Sequence, residues 1–153
     1  MDKSALTQAM KASISEVLEQ MFFLPIDFIA PEKACADPEP ATIIAKLDFS
    51  GSSGGTFVLQ MPAALAQSVA ADFLGTTAQG LFREQVAATV LEMVNMLAGS
   101  TLSTYDHQAL FNLQIPELIS ADALGALTEK VADQIVIRIQ TPESPMTFQV
   151  GLQ

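Results

Sequence analysis

Residues 86–102, VAATVLEMVNMLAGSTL, constrain this chain more than any other stretch. Placed on a helix at about 100° per residue, Val86, Val90, Met93, Val94, Leu97 and Thr101 fall on one side. An apolar stripe with that spacing predicts a helix lying on a core. The opposite side carries Ala88, Glu92, Asn95, Gly99 and Ser103. Glu92 and Asn95 are three residues apart, so they sit one above the other, largely exposed to solvent. Ala88 stands one turn before them and Gly99 one turn after. Glycine inside a helix costs roughly 1 kcal/mol against alanine, so Gly99 is either a tolerated surface glycine or a point of close approach. Two readings follow from pattern alone. One is an ordinary solvated face; the other is a carboxylate and an amide presented side by side as a site.

The run Glu92-Met-Val-Asn95-Met-Leu-Ala-Gly99 resembles the signature helix of the CheX/CheC/FliY family of bacterial chemotaxis phosphatases. That signature is E-x-x-N, continued in CheX-like members by a small apolar stretch ending in Gly, with a Pro further along the chain. Pro116, in LQIPELI, stands in the place of that Pro, and MFFLPID after the opening helix is also similar to CheX-like domains. Two positions depart from the pattern. Ala88 stands where many members carry Asp or Ser, and Ser100 where an Asn often follows the Gly. No second E-x-x-N occurs, and Asn112 lies in an unrelated context. CheC and FliY typically carry two such helices and CheX one, so the chain is nearer CheX.

The resemblance implies dephosphorylation of the phospho-aspartate of a CheY-type response regulator. An acyl phosphate needs an in-line water, charge neutralisation and little else. Asn95 would hold that water through its amide, and Glu92 would dock against the active-site lysine of the receiver domain. Ala88, Met96 and Gly99, around the same face, are candidate partner contacts. The magnesium would belong to the receiver, so no cofactor of the chain's own is expected. The resemblance also implies a homodimer, as does the final segment MTFQVGL, which lacks the charges or internal proline that blunt an edge strand. The rival readings are a non-enzymatic CheC-like adaptor and a dimerisation module in which Glu92 and Asn95 are merely solvated.

Composition narrows the remaining classes. At 153 residues a single domain spanning the chain is expected. Seventeen acidic against seven basic residues give a net charge of −10, which disfavours nucleic acid and anionic membrane surfaces as partners. The lone Cys35 fits a reducing compartment. No signal-peptide core and no run of ~18 apolar residues is present, so a cytoplasmic location is expected. One histidine and one cysteine are too few for a His/Cys zinc site. His107 beside Asp106 lacks the Gly-x-Ser-x-Gly elbow of a serine triad. The glycine-rich GSSGG is not followed by Gly-Lys-Ser/Thr and reads as a turn, not a phosphate cradle. Met10, Met21 and Met93 lie on apolar stripes and are expected in the core, whereas Met96 lies at the edge of the Glu92/Asn95 face.

The rest of the chain reads in order as follows. Ser4 caps a first helix to about residue 21, ended by Pro25. A short strand over 26–30 precedes a proline-rich connector over 31–40. Strands over 42–49 and 56–61 form a hairpin around the Gly/Ser turn. Pro62 opens a second helix to Leu74, with Leu65, Val69, Phe73 and Leu74 as its apolar side. Gly75 and Gly80 bracket a break before the signature helix, which ends near Thr104. Residues 105–116 show no clear pattern, with Ile115 held extended by Pro116. Residues 120–128 read as loop or a helical turn, and 131–140 and 146–152 as a final hairpin. This order predicts an α+β fold, CheC-like, with a mostly antiparallel sheet and helices on one face.

Overall fold

The computed structural model describes residues 1–29, 41–131 and 133–153; the connector over 31–40, with Cys35, lies outside the described residues. The first helix, α1 (Lys3–Ile14), is capped by Asp2 and not by Ser4. The Asp2 Oδ1 accepts from the Ser4 N–H at 2.9 Å and the Ala5 N–H at 3.3 Å. Aspartate is as good a cap as serine, and its charge suits the helix N-terminus. The helix then widens into a π-helical segment, Ser15–Met21. It closes with the Leu24 N–H on the Leu18 carbonyl at 2.9 Å, leaving Phe23 at φ 56. Pro25 follows and forbids further helix.

Next come β1 (Asp27–Phe28), β2 (Thr42–Gly51), β3 (Gly55–Pro62) and α2 (Ala63–Leu74). Pro62 ends β3 and caps α2 instead of lying inside the helix. The apolar side of α2 is Leu65, Ala66, Val69, Ala70 and Ala71; Phe73 and Leu74 are exposed, with Phe73 stacked on Phe22 at 4.7 Å. After Gly75, in the left-handed region at φ 68, the signature helix runs as α3 (Arg83–Tyr105). Its start is fixed by the Gln85 side chain, whose Oε1 accepts from the Phe82 N–H at 2.8 Å, half of a capping box. Two short strands, β4 (Phe111–Leu113) and β5 (Glu117–Ile119), occupy the region that lacked a sequence pattern. Residues 120–128 belong to a full helix, α4 (Ala121–Lys130), capped by the Ser120 Oγ, which accepts from the Ala123 N–H at 3.1 Å. The chain ends in the hairpin β6 (Asp133–Gln140) and β7 (Pro145–Leu152).

All seven strands form one antiparallel sheet in the order β1-β6-β7-β3-β2-β4, with β5 also on β2. The α+β class is the one expected. One strand stands elsewhere than expected: β7 is flanked by β6 and β3, so MTFQVGL is an interior strand and not an edge. Its scarcity of charge is explained by that central place, and the edges are β1 and the β4/β5 pair.

Alternation along the strands sends Ala45, Leu47, Phe49, Phe57, Leu59, Met61, Ile135, Ile137, Ile139, Met146, Phe148 and Val150 to one face. There they meet Leu6, Met10, Ile14 and Leu18 of the first helix, Leu65 and Val69 of α2, and the stripe of α3. Phe57 stands at the centre, 5.1 Å from Phe49 and 5.4 Å from Phe148 between ring centroids. Each fully buried side chain of this size contributes about 1.5–3 kcal/mol. The fourth helix packs on the opposite face, where Leu124 covers Ile44, Val58 and Ile119. By length and composition α3 could cross a membrane. Its stripe of Val86, Val90, Met93, Val94, Leu97 and Thr101 is instead buried in this core.

Candidate functional site

The burial of that stripe decides where Glu92 and Asn95 go. With Met93 and Val94 wholly buried, the Glu92 side chain must leave the helix away from the core, and it is exposed. Asn95 is half-buried and not fully exposed as the helical pattern alone predicts. The reason is tertiary: a second wall stands against this side of α3, made by residues 113–116. Between the walls lies an open groove of about 400 Å³. Ala88, Leu91, Glu92 and Asn95 form the helix side, and Leu113, Gln114, Ile115 and Pro116 the other. Glu92 is the one charged residue in the lining. Among the described residues no ion pair and no hydrogen bond engages its carboxylate or the Asn95 amide. Both are therefore available to an incoming group.

The second wall is built by an irregularity in the edge strand. The residue pairs Phe49↔Leu113 and Lys46↔Glu117 bracket Leu47 and Asp48 on β2 but Gln114, Ile115 and Pro116 opposite. One extra residue on the edge strand is a β-bulge, a place where a proline without an N–H is tolerated. The bulge is pinned on both sides. The Gln114 N–H donates to the Asp48 carbonyl at 2.8 Å. The Lys46 Nζ reaches Asp48 Oδ2 at 3.0 Å and Glu117 Oε1 at 3.2 Å. The hydrogen bond to Asp48 raises the pKa of Lys46 above its usual range, against the lowering effect of burial. Burial would raise the Asp48 carboxyl, but hydrogen bonds from Thr56 and Lys46 outweigh it and hold the group below the usual carboxylate range.

The other residues singled out in the sequence fall around this groove. Ala88 lines it. Met96 is half-buried and packs against the core. Gly99 lines a smaller neighbouring cavity of about 180 Å³ together with Ser103, Asp106, His107 and Leu113. A Cβ on Gly99 would meet only the Leu113 Cδ1 at 3.7 Å, an ordinary contact, so no close approach requires the glycine. Ser100 donates to the Ser13 Oγ at 3.0 Å across the α1–α3 seam. The Asp106 Oδ1 accepts from the Gln108 and Ala109 N–H groups, capping the turn after α3 instead of orienting His107. Among the described residues no group of three or more His, Cys, Asp or Glu side chains is placed to hold a metal ion. Sequence reasoning missed residues 113–116 except for Pro116. The signal that could have found them is that proline amid the Leu113, Ile115, Leu118 and Ile119 of LQIPELI, which marks an edge strand or bulge.

The fold and site together define an α+β protein with three helices on one face of an antiparallel sheet, presenting a carboxylate and an amide one turn apart beside an open groove. The sequence of residues 43–140 matches the family described as chemotaxis phosphatase CheX, and the chain belongs to that family. No curated protein matches the sequence. Solved structures share the fold. A CheX from Borrelia burgdorferi, solved as a CheX–CheY–BeF3–Mg2+ complex, is similar at a TM-score of 0.77 and 18% identity, over 97% of each chain. A CheC-like superfamily protein from Shewanella sp. PV-4 gives 0.76 at 15% identity, over 100% of this chain and 99% of that one. The chemotaxis protein CheX from Vibrio vulnificus gives 0.74 at 18% identity, over 97% and 96%.

Proposed function

We propose that this chain accelerates hydrolysis of the phosphoryl group carried by the aspartate of a CheY-type receiver domain. The observation that carries the reading is the unengaged Glu92 carboxylate beside the half-buried Asn95 amide on one wall of an open groove. Membership of the family and the CheY complex of the Borrelia relative support the partner class. The groove is open to solvent, which suits a protein substrate better than a small molecule.

The chemistry asks little of the protein. Water attacks phosphorus in line, the bond from phosphorus to the aspartyl oxygen breaks, and inorganic phosphate leaves with the carboxylate restored. Asn95 is neutral at any working pH. Its amide oxygen accepts a hydrogen bond from the water while its NH2 donates to a phosphoryl oxygen, which sets the attack angle. Glu92, exposed and unpaired, binds the ammonium of the receiver's active-site lysine and brings Asn95 to the phosphoryl group. Magnesium held by the receiver would neutralise the developing charge there, and the reading asks for no metal on this chain. Working on such a partner, the protein acts in the cytoplasm, and we expect it to act as a homodimer. On the outer side of β6, β1 pairs with Ile139 and Gln140 and the Ile29 N–H donates to the Arg138 carbonyl at 3.0 Å; among the described residues this leaves the strand edge over 133–137 for a second copy.

The test is a phosphate-release time course for a panel of phosphorylated receiver domains with magnesium, with and without the protein. Acceleration for at least one receiver is expected. Tight binding to a beryllofluoride-charged receiver without acceleration of release would instead establish the adaptor reading.

A further inference from the structure

Besides Glu92, the groove holds an apolar residue that gives neither wall any buried contact area of note. Ile115 is 90% exposed, the largest exposure among the large apolar side chains described. A β-branched hydrocarbon left in water gives the folded chain nothing. Yet its backbone is held from both sides. Pro116 locks the next φ, the Gln114 N–H is held by Asp48, and the Lys46–Glu117 ion pair closes the far side of the bulge. Leu113 and Leu118 pair with Phe49 and Ala45 on one face of β2, yet they are five residues apart, a separation that a regular strand would place on opposite faces. The extra residue re-aims the chain, as bulges beside sites do. The result is a rigid apolar lip facing α3 across the groove that Glu92 and Asn95 line, continued by Leu113 at 38% exposure.

We infer that Ile115 is a specificity-determining contact that selects, among receiver domains, those presenting an apolar side chain next to the active-site lysine. This rests on the functional reading above. The occupant follows from the lining. The groove pairs one anionic group with an apolar wall, and the chain carries a net charge of −10, so the complementary surface is a cation flanked by hydrocarbon. When such a surface seats, Glu92 takes the ammonium and Ile115 covers the neighbouring side chain, excluding water from the ion pair. A rigid lip loses little conformational freedom on binding, so its burial is felt nearly in full.

The experiment compares wild type, Ile115→Ser and Ile115→Val as full-length proteins, by binding to a beryllofluoride- and magnesium-charged CheY-type receiver and by phosphate release. Ile115→Ser is expected to weaken binding about 10- to 100-fold, as the loss of one buried isoleucine predicts, with release at saturating protein unchanged. Ile115→Val keeps most of the hydrocarbon and should stay within about fivefold of wild type. The exposed position keeps both variants folded, which a thermal scan checks. Ile115→Ser binding as tightly as wild type overturns this inference while leaving the proposed function standing. A loss of release at saturation in Ile115→Ser also overturns it, because the residue would then serve the chemistry. Wild type binding no receiver of the panel overturns the functional reading, and this inference with it.

Discussion

Removing the Glu92 charge while keeping its shape, as Glu92→Gln, should separate docking from chemistry. Glu92 is exposed and has no internal ion pair or hydrogen bond among the described residues, so its loss costs the free protein almost nothing. Exposed substitutions of this kind stay within about ±0.5 kcal/mol of stability. The carboxylate stands in a groove whose other lining residues are Asn95 and Gln114 and the apolar Ala88, Leu91, Leu113, Ile115 and Pro116. An ion pair seated there is desolvated on the apolar side and belongs with charge-assisted hydrogen bonds of about 1.5–3 kcal/mol. It does not belong with the exposed pairs worth under about 1 kcal/mol. The loss corresponds to a dissociation constant raised about 10- to 150-fold. The assay is a titration against a beryllofluoride-charged receiver at several salt concentrations, paired with single-turnover phosphate release at rising protein concentration. Weaker binding, a shallower salt dependence and full recovery of the release rate at saturation are expected. The companion Asn95→Ala should show the reverse: binding within a fewfold of wild type, and no acceleration at any concentration. Glu92→Gln binding as tightly as wild type, or Asn95→Ala releasing phosphate at the wild-type rate, would refute the division of roles.

Three further outcomes follow. Gly99→Ala should leave the fold intact and stabilise it by up to roughly 1 kcal/mol in a denaturant melt, because a Cβ there has room beside Leu113; a destabilisation would mean that α3 and β4 approach more closely than described. The low pKa of Asp48 gives stability that is present above the ordinary aspartate value of 3.8 and is lost as pH falls through the lower folded value. The raised pKa of Lys46 gives stability that persists to 10.5 and is lost only above it. Asp48→Asn should therefore flatten the acid limb of the stability profile by less than about 1 kcal/mol, as suits partly exposed pairs; an acid limb identical to wild type would show that the Lys46 ion pairs with Asp48 and Glu117 do not hold the bulge. Sedimentation at tens of micromolar should report a dimer, on the order of concentrations at which such contacts are populated; a monomer there would remove the homodimer from the proposal.

The periodicity of α3 fixed, without any coordinates, which side of that helix enters the core and hence that Glu92 leaves on the other. Helical spacing is a local property, and burying Val90, Met93, Val94 and Leu97 admits only one rotation of the helix. The β2–β3 and β6–β7 hairpins were legible for the same kind of reason, since alternation and turn residues act over a few positions. What needed the tertiary structure was everything set by partners distant in sequence. MTFQVGL carries the same residues whether it lies at an edge or between two strands, and only the pairing with β3 across more than eighty residues makes it interior. Gly125 within α4 obscured a helix that is secured by Leu124 on Ile44 and Val58. The second wall of the groove depends on β4 and β5 meeting β2 with one residue too many, a mismatch that exists only when both strands are present. The residues of the carboxylate–amide pair are written in one helix; the groove that half-buries Asn95 and sets Ile115 opposite is made by long-range register, which no local pattern encodes.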